Sequence, residues 1–130
     1  MYASLILTAI TLLAGPKLKF EDTKHDFGKK VFRSDVSYRF EFTNTGDAPL
    51  VLESHETSCH CTTATYPKNP ILPGESDVVV VKYDATKIGT FYRKVTLRSN
   101  AGKQTLVIKG EIVKASKGNK VNPLTGGVSF

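Results

Sequence analysis

The residues of this chain that could do chemistry are concentrated in one short segment, Cys59-His60-Cys61, which holds both of its cysteines. In an extended strand alternate side chains share a face, so Cys59 and Cys61 would point the same way. Their Cα atoms would then lie about 6.5 Å apart, at a rise of about 3.3 Å per residue. Disulfides favour a Cα separation of about 5.5 Å. A disulfide between the two cysteines therefore requires strain or a bend. A strained disulfide is easily reduced, which makes the pair a candidate for thiol redox chemistry.

The same two cysteines are also candidate metal ligands. Two thiolates on one face suit Cu(I) or Zn(II). If the chain is extended from Glu53 onward, His55 lies on the same face as the cysteines, because it precedes Cys59 by an even number of residues. The predicted ligand set is His55, Cys59 and Cys61. His60, which would point to the opposite face, is an additional candidate.

A third interpretation of Cys59 and Cys61 is structural. A buried thiol packs as a small hydrophobic group, and in an oxidising compartment a cysteine can form a disulfide with a partner chain. The sequence leaves the structural, metal-binding and redox interpretations open.

The rest of the sequence contains no recognisable catalytic motif. It has no G-x-S-x-G nucleophile elbow, no HExxH zinc motif and no Walker loop. Its carboxylates are scattered, and none forms a pair suited to general acid and base catalysis. We interpret Asp26-Phe27-Gly28 as a turn that leaves the first strand, and His25 as a strand residue. We therefore predict that the protein is not an enzyme.

Size and charge favour one small domain that does not bind nucleic acid. The chain has 130 residues and a formal net charge of +6 at pH 7. A chain of this length can bury a core without disulfide cross-links. Its basic residues are dispersed among acidic ones and accompany no nucleic-acid-binding motif. We interpret them as a basic surface with lysines that guard sheet edges.

The N-terminal segment predicts export. Residues 3–14 are uncharged and largely apolar, and Gly15-Pro16 follows them. This run is shorter than the roughly 20 apolar residues of a membrane-spanning helix and matches the roughly 7–15 of a secretory signal. We predict a signal peptide helix over residues 1–15, cleaved near Ala14 or Gly15, and no membrane span after cleavage.

From Pro16 onward, short runs of alternating apolar and polar residues predict an all-β fold. The clearest run is 36–43, and the four consecutive valines at 78–81 predict a strand covered on both faces. About seven such runs, separated by turn residues, are typical of a two-sheet β-sandwich. Residues 114–130 are polar and aperiodic and predict a flexible C-terminal tail.

Several of these runs resemble one bacterial protein family. The segments are HDFG at 25–28, FEFTNTGDAPL at 40–50, SCHCT at 58–62, LPGESDVVVVKYDA at 72–85 and TLRSNAG at 96–102. Together they resemble the DUF1573 family, common in Bacteroidetes, which carries Ser-Cys-Gly-Cys-Thr at the cysteine site. The resemblance implies an immunoglobulin-like β-sandwich, which we place at residues 17–113, as well as export and an unassigned biochemical role. His60 stands where the family has glycine, which removes the expectation of a shared tight turn.

The combined prediction is an exported, non-catalytic binding or structural module of the bacterial cell envelope. Its location is the periplasm, the outer membrane surface or the cell exterior. An immunoglobulin-like sandwich presents sheet edges, so the predicted partner is another envelope or secreted protein that adds a strand to one of them. We expect the SCHCT segment, residues 58–62, to lie at the end of the domain that carries its function. The alternative is a Cu- or Zn-binding or thiol-redox protein that uses Cys59 and Cys61; no other cofactor is predicted.

Overall fold

The computed structural model describes residues 15–115. They form eight strands: β1 (Leu18–Phe20), β2 (Lys24–Val31), β3 (Val36–Asn44), β4 (Leu52–Thr57), β5 (Thr62–Thr65), β6 (Ser76–Tyr83), β7 (Gly89–Ser99) and β8 (Gly102–Val113). The strands form two 4-stranded sheets, ordered β1-β3-β6-β5 and β2-β8-β7-β4. The predicted all-β, immunoglobulin-like sandwich is confirmed.

The predicted signal peptide and C-terminal tail lie outside the described residues, apart from Gly15, Lys114 and Ala115. Both stay predictions. Between residues 15 and 115, no helix has the length and apolar character needed to cross a membrane.

The core lies between the two sheets and is built by strand alternation. Every second residue of the long strands points inward, which removes one apolar row per strand from water. Burial of each such side chain stabilises the fold by about 1.5–3 kcal/mol. The largest fully buried apolar side chains are Phe40, Phe42, Leu50, Leu97, Leu106, Ile108 and Ile112.

The valine run of β6 is buried on one face only. Val79 and Val81 are fully buried between the sheets, whereas Val78 and Val80 are half-buried on the outer face. The prediction that both faces are covered is therefore wrong. Among the described residues no further layer packs outside this sheet, so Val78 and Val80 are shielded only by their neighbours on the sheet.

The first two strands of the domain lie in different sheets. β1 pairs antiparallel with β3, after which the chain crosses over and β2 pairs parallel with β8. The register shifts between Asp26 and Lys29, where Gly28 has a φ of 67° and donates its N–H to Asp26 Oδ1 at 2.9 Å. The predicted turn at Asp26-Phe27-Gly28 is therefore wrong. The glycine permits a β-bulge, and pairing resumes after it.

The crossing from β4 to β5 places the cysteines between the two sheets. β4 is an edge strand of one sheet and β5 an edge strand of the other. The chain between them, residues 58–61, passes from one sheet to the other at one flank of the sandwich. We call the two edges and this connection the β4–β5 flank.

Candidate functional site

The cysteine segment is a turn. β4 ends at Thr57 and β5 begins at Thr62. Thr57 Oγ1 donates to the carbonyl oxygen of Cys59 at 2.8 Å, and the N–H of Cys61 points at Cys59 Sγ at 3.2 Å. The assumption that Cys59 and Cys61 lie in an extended strand is wrong, because the chain must bend there to change sheets.

Cys59 and Cys61 are joined by a disulfide, and their Cα atoms lie 5.2 Å apart. The turn supplies the bend that the sequence required for such a bond. Both cysteines are half-buried, but their surroundings differ. Cys61 packs against the hydrophobic core, whereas Cys59 lies between the exposed residues Ser58 and His60.

Arg93 is the charged partner of the disulfide. Its Nε donates to Cys61 Sγ at 3.2 Å, and its guanidinium carbon lies 5.7 Å from the centre of the Tyr83 ring. The Tyr83 ring in turn stacks on Phe91 at 4.0 Å. Arg93 is half-buried, and the one ion pair found in residues 15–115 joins Arg98 to Glu56 instead. Arg93 thus brings to the sulfur of Cys61 a positive charge that forms no ion pair within residues 15–115.

Arg93 was not among the predicted site residues, although β7 contains a signal for it. Phe91, Val95 and Leu97 are buried at alternate positions of this strand. Arg93 occupies the remaining inward position of that row. A charged residue at an inward position of a strand indicates a local partner or a functional group.

His55 has a different partner from the one predicted. Its Nδ1 shares a hydrogen bond of 2.9 Å with Tyr66 Oη, and the two rings meet edge to face. Burial raises the pKa of Tyr66. The structure therefore does not bring His55 together with Cys59 and Cys61 as a ligand set.

No group of three or more His, Cys, Asp or Glu in the part of the chain that the structure describes is placed to hold a metal ion. His60, the additional candidate, is exposed at the turn. A Cu or Zn site at Cys59 and Cys61 would first require reduction of the disulfide, since the thiolate is the ligand. The metal site stays a prediction.

The β5 strand next to the disulfide has an open backbone edge. The N–H of Asp84 donates to the carbonyl oxygen of Cys61 at 2.7 Å, and the antiparallel register continues from there into β6. Because such ladders alternate, Thr63 and Thr65 direct their backbone groups to β6. Thr62 and Ala64 direct theirs away from it. No backbone bond outside the ladder reaches either of these two among the described residues.

The other three edge strands of the described domain carry charged side chains, which oppose edge-to-edge pairing. β1 has Lys19, β4 has Glu53 and Glu56, and β2 combines its lysines with the bulge. The sequence of β5 is Thr-Thr-Ala-Thr, without a charge. β5 is therefore the least protected edge of the domain.

Comparison with known proteins gives a family match but no curated relative. A family model described as "Protein of unknown function (DUF1573)" matches residues 18–112. No curated protein matches the chain. A solved structure described as a protein of unknown function from Porphyromonas gingivalis W83 is similar, with a TM-score of 0.66 and 20% identity. The match covers 79% of this chain, which spans 50% of the length of that one.

Two further solved structures share the fold. The ASH/PapD-like domain 7 of human CEP192 has a TM-score of 0.65 at 10% identity, and the match covers 89% of this chain and 99% of that domain. The YadV chaperone has a TM-score of 0.52 at 17% identity, with 82% of this chain and 55% of that one covered. At these identities the likeness shows the fold alone.

Proposed function

We propose that this chain, which belongs to the DUF1573 family, is a non-catalytic binding module whose β5 edge takes up an extended segment of another protein. The family match confirms the resemblance noted in the sequence. Export and a place in the bacterial cell envelope are parts of the proposal. The partner is accordingly another envelope or secreted protein.

The observation that carries the proposal is the contrast between β5 and the other edges. An added strand binds through main-chain hydrogen bonds to an edge with free amide and carbonyl groups. Half-buried Ala64 presents such groups, whereas Thr62 directs its groups the same way but is only 3% exposed. No charged side chain of β5 stands beside Ala64. The exposed side chains of Thr63 and Thr65 suit a pleated surface beside a new strand.

The structural relatives support this proposal at the level of the fold. One of them is named a chaperone, a class of proteins that works by binding other proteins. Another is named a PapD-like domain. Fold likeness alone does not assign function. The proposed binding function therefore depends mainly on the properties of the β5 edge.

Photo-crosslinking at matched positions tests where the partner binds. A benzophenone side chain replaces Thr65, exposed on β5, or Thr90, exposed on β7 within the other sheet. The chain is expressed with its own leader and irradiated in intact cells, and its mature mass reports cleavage. We expect a discrete adduct with an exported protein from position 65 and none from position 90. Equal adducts at both positions, or none at 65, would contradict the proposal.

Loss of one edge donor should weaken this binding. Ala64→Pro removes the outward N–H of Ala64 and leaves the ladder groups of Thr63 and Thr65 in place, and edge strands tolerate proline at such a position. One lost hydrogen bond is worth about 1 kcal/mol, so the adduct at position 65 should fall about fivefold. Ala64→Ser, which keeps the N–H, is the control and should leave the yield unchanged.

A lysine placed on the β5 edge provides a second measurement. It remains valid even if the domain does not tolerate proline at position 64. Thr65→Lys places a cation on β5, and Thr90→Lys makes the same change on β7 of the other sheet. With the benzophenone moved to Thr63, we expect Thr65→Lys to reduce the adduct and Thr90→Lys to leave it. Unchanged yields in both Thr65→Lys and a folded Ala64→Pro variant would overturn the assignment to β5.

A further inference from the structure

We propose that the Cys59–Cys61 disulfide is a thiol–disulfide exchange site, in which an incoming thiolate attacks Cys59 and Arg93 holds Cys61 as the departing thiolate. This inference goes beyond the proposed binding function and does not depend on it. A guanidinium contacts one sulfur of the pair, and the two cysteines have unequal surroundings.

The charge of Arg93 determines which sulfur of the disulfide leaves during exchange. Arg93 Nε donates to Cys61 Sγ at 3.2 Å, and no hydrogen bond or ion pair joins Arg93 to a carboxylate within residues 15–115. A guanidinium stabilises a neighbouring thiolate and cannot itself lose its proton. A sulfur whose thiolate is stabilised leaves faster in exchange. Cys61 is therefore the leaving group.

The surroundings of the two sulfurs assign the point of attack. Cys61 packs against the core, and its own N–H points at Cys59 Sγ. Cys59 lies in the turn between two exposed residues. An incoming thiolate thus reaches Cys59 from solvent, while the bond to Cys61 breaks toward Arg93. The Cys61 N–H is then placed to donate to Cys59 Sγ when that sulfur carries charge.

A structural purpose explains this disulfide poorly. The bond closes a loop between residues only two apart in sequence. In the chain-entropy model the stabilisation from a disulfide grows with the length of the loop it closes. A bond between residues two apart therefore restricts the unfolded chain very little. The domain also has a hydrophobic core, and a chain of this length can bury one without disulfide cross-links. A role in thiol–disulfide exchange does explain why a disulfide between near neighbours in sequence lies beside the Arg93 cation.

A partner dithiol supplies the two electrons and the two protons that reduction of the disulfide requires. The partner's first thiolate forms a bond to Cys59 Sγ, and the electron pair of the broken bond leaves on Cys61 Sγ. The partner's second thiolate then attacks the partner sulfur of the mixed disulfide and releases Cys59. The partner dithiol is oxidised to a disulfide by two electrons, the domain pair is reduced to two thiols, and the two protons lost by the partner are taken up by the domain. A partner disulfide runs the same steps in reverse.

Reduction kinetics with defined thiols test the role of Arg93. The purified oxidised chain is mixed with dithiothreitol near neutral pH, and free thiols are alkylated and counted by intact mass over time. Arg93→Gln keeps hydrogen-bonding capacity but removes the charge. We expect it to slow reduction about tenfold, as a poorer leaving group requires. Arg93→Lys restores the charge and should recover much of the rate.

Arg98→Gln is the matched control, because it makes the same change on the same strand at a residue paired with Glu56 rather than with sulfur. It should leave the rate unchanged. A variant that unfolds exposes the disulfide and reacts faster, so loss of fold cannot imitate the expected result. Equal rates for Arg93→Gln and the wild-type chain would overturn the role of Arg93.

The site of attack is tested in the wild-type chain alone. Reduced glutathione forms one mixed disulfide, and peptide mass spectrometry after trapping with acid identifies the cysteine that carries it. We expect glutathione on Cys59 and a free thiol on Cys61. Glutathione on Cys61, or a disulfide that resists both reductants in the folded chain, would contradict an exchange site with this direction.

Discussion

His25 and Arg93 are two basic side chains of the second sheet that rest on aromatic rings of the first. His25 stacks on Tyr38 with ring centres 3.7 Å apart, and Arg93 lies over Tyr83. The two differ in what burial does to them. Arginine keeps its charge in any surroundings, whereas histidine can respond to burial by giving up its proton. One residue therefore supplies a fixed charge, and the other makes stability depend on pH.

Stability should fall with acid because of His25. Burial lowers the pKa of His25, against the opposing effects of Asp26 and Asp22. The unfolded chain then binds a proton more readily than the folded one. The stabilising contribution is complete above the ordinary pKa of 6.5 and is lost as the pH falls through the lowered folded value.

Urea denaturation at about pH 7.5 and about pH 5 measures this effect. We expect the urea midpoint of the wild-type chain to decrease over this interval by more than that of His25→Phe, which keeps an aromatic ring on Tyr38. Exposed His60→Gln should retain the wild-type dependence. If His25→Phe and the wild-type chain lose stability equally, His25 does not contribute to it.

The cysteine pair could be predicted from sequence as a chemical possibility but not as a geometry. Two cysteines with one residue between them allowed a disulfide, a metal site or packed thiols. The choice depends on whether residues 58–61 are extended or bent, and the crossing between sheets decides that. Arg93 lies 32 residues from Cys61 in sequence, so only the pairing of strands brings it to the sulfur.

At the scale of single elements, β2 shows how a local rule can give the wrong structure. Asp26-Phe27-Gly28 has turn residues, but the chain continues as a bulged strand against β8. The bulge brings Gly28 close to Gly110 of β8. A Cβ atom at Gly110 would lie 2.9 Å from the carbonyl oxygen of Gly28 and 3.0 Å from the Phe91 ring. Gly110 is therefore required by packing.

Substitution of Gly110 should destabilise the domain. Gly110→Ala forces the β2 backbone or the Phe91 ring to move, and overpacking of this kind costs about 1–3 kcal/mol. Gly28→Ala meets open space and is penalised only by its φ of 67°, by about 1 kcal/mol. Denaturant unfolding compares the two. A Gly110→Ala variant as stable as the wild-type chain would show that β2 is free to move away.

Strand alternation predicted the long strands well. The run at 36–43 became β3 (Val36–Asn44), and the valine run lies within β6 (Ser76–Tyr83). Alternation was less informative for β5, because a row of threonines and one alanine has no apolar face to read. The open backbone of β5 follows from its place at the end of a sheet, which local sequence does not encode.

At the scale of the whole sandwich, the two flanks formed by residues 15–115 are unlike. One flank is formed by β1 and β2, where lysines and a bulge oppose pairing. The other is the β4–β5 flank, with the uncharged edge of β5 and the disulfide turn. Cys61 immediately precedes β5, so a segment bound along β5 passes beside the exchange site. The proposed binding and exchange functions thus share one flank and can be tested separately.

The family and the sandwich could both be predicted from sequence, because strand pattern and motif order extend over nearly the whole domain. The order of strands within the sheets could not, since it is set by which apolar faces meet in the core. That order makes β5 an edge and puts Arg93 beside Cys61. Both proposals therefore depend on the three-dimensional arrangement more than on any motif.

Amide hydrogen exchange in the partner complex tests the central claim most directly. The partner is the protein captured at position 65, and exchange is followed residue by residue in the free and bound chain. An added strand should protect the amide of Ala64, which faces away from β6 and is only half-buried in the free chain, and leave those of β2 unchanged. Unaltered exchange at Ala64, with new protection on β2 or on an outer sheet face, would contradict binding at the β5 edge.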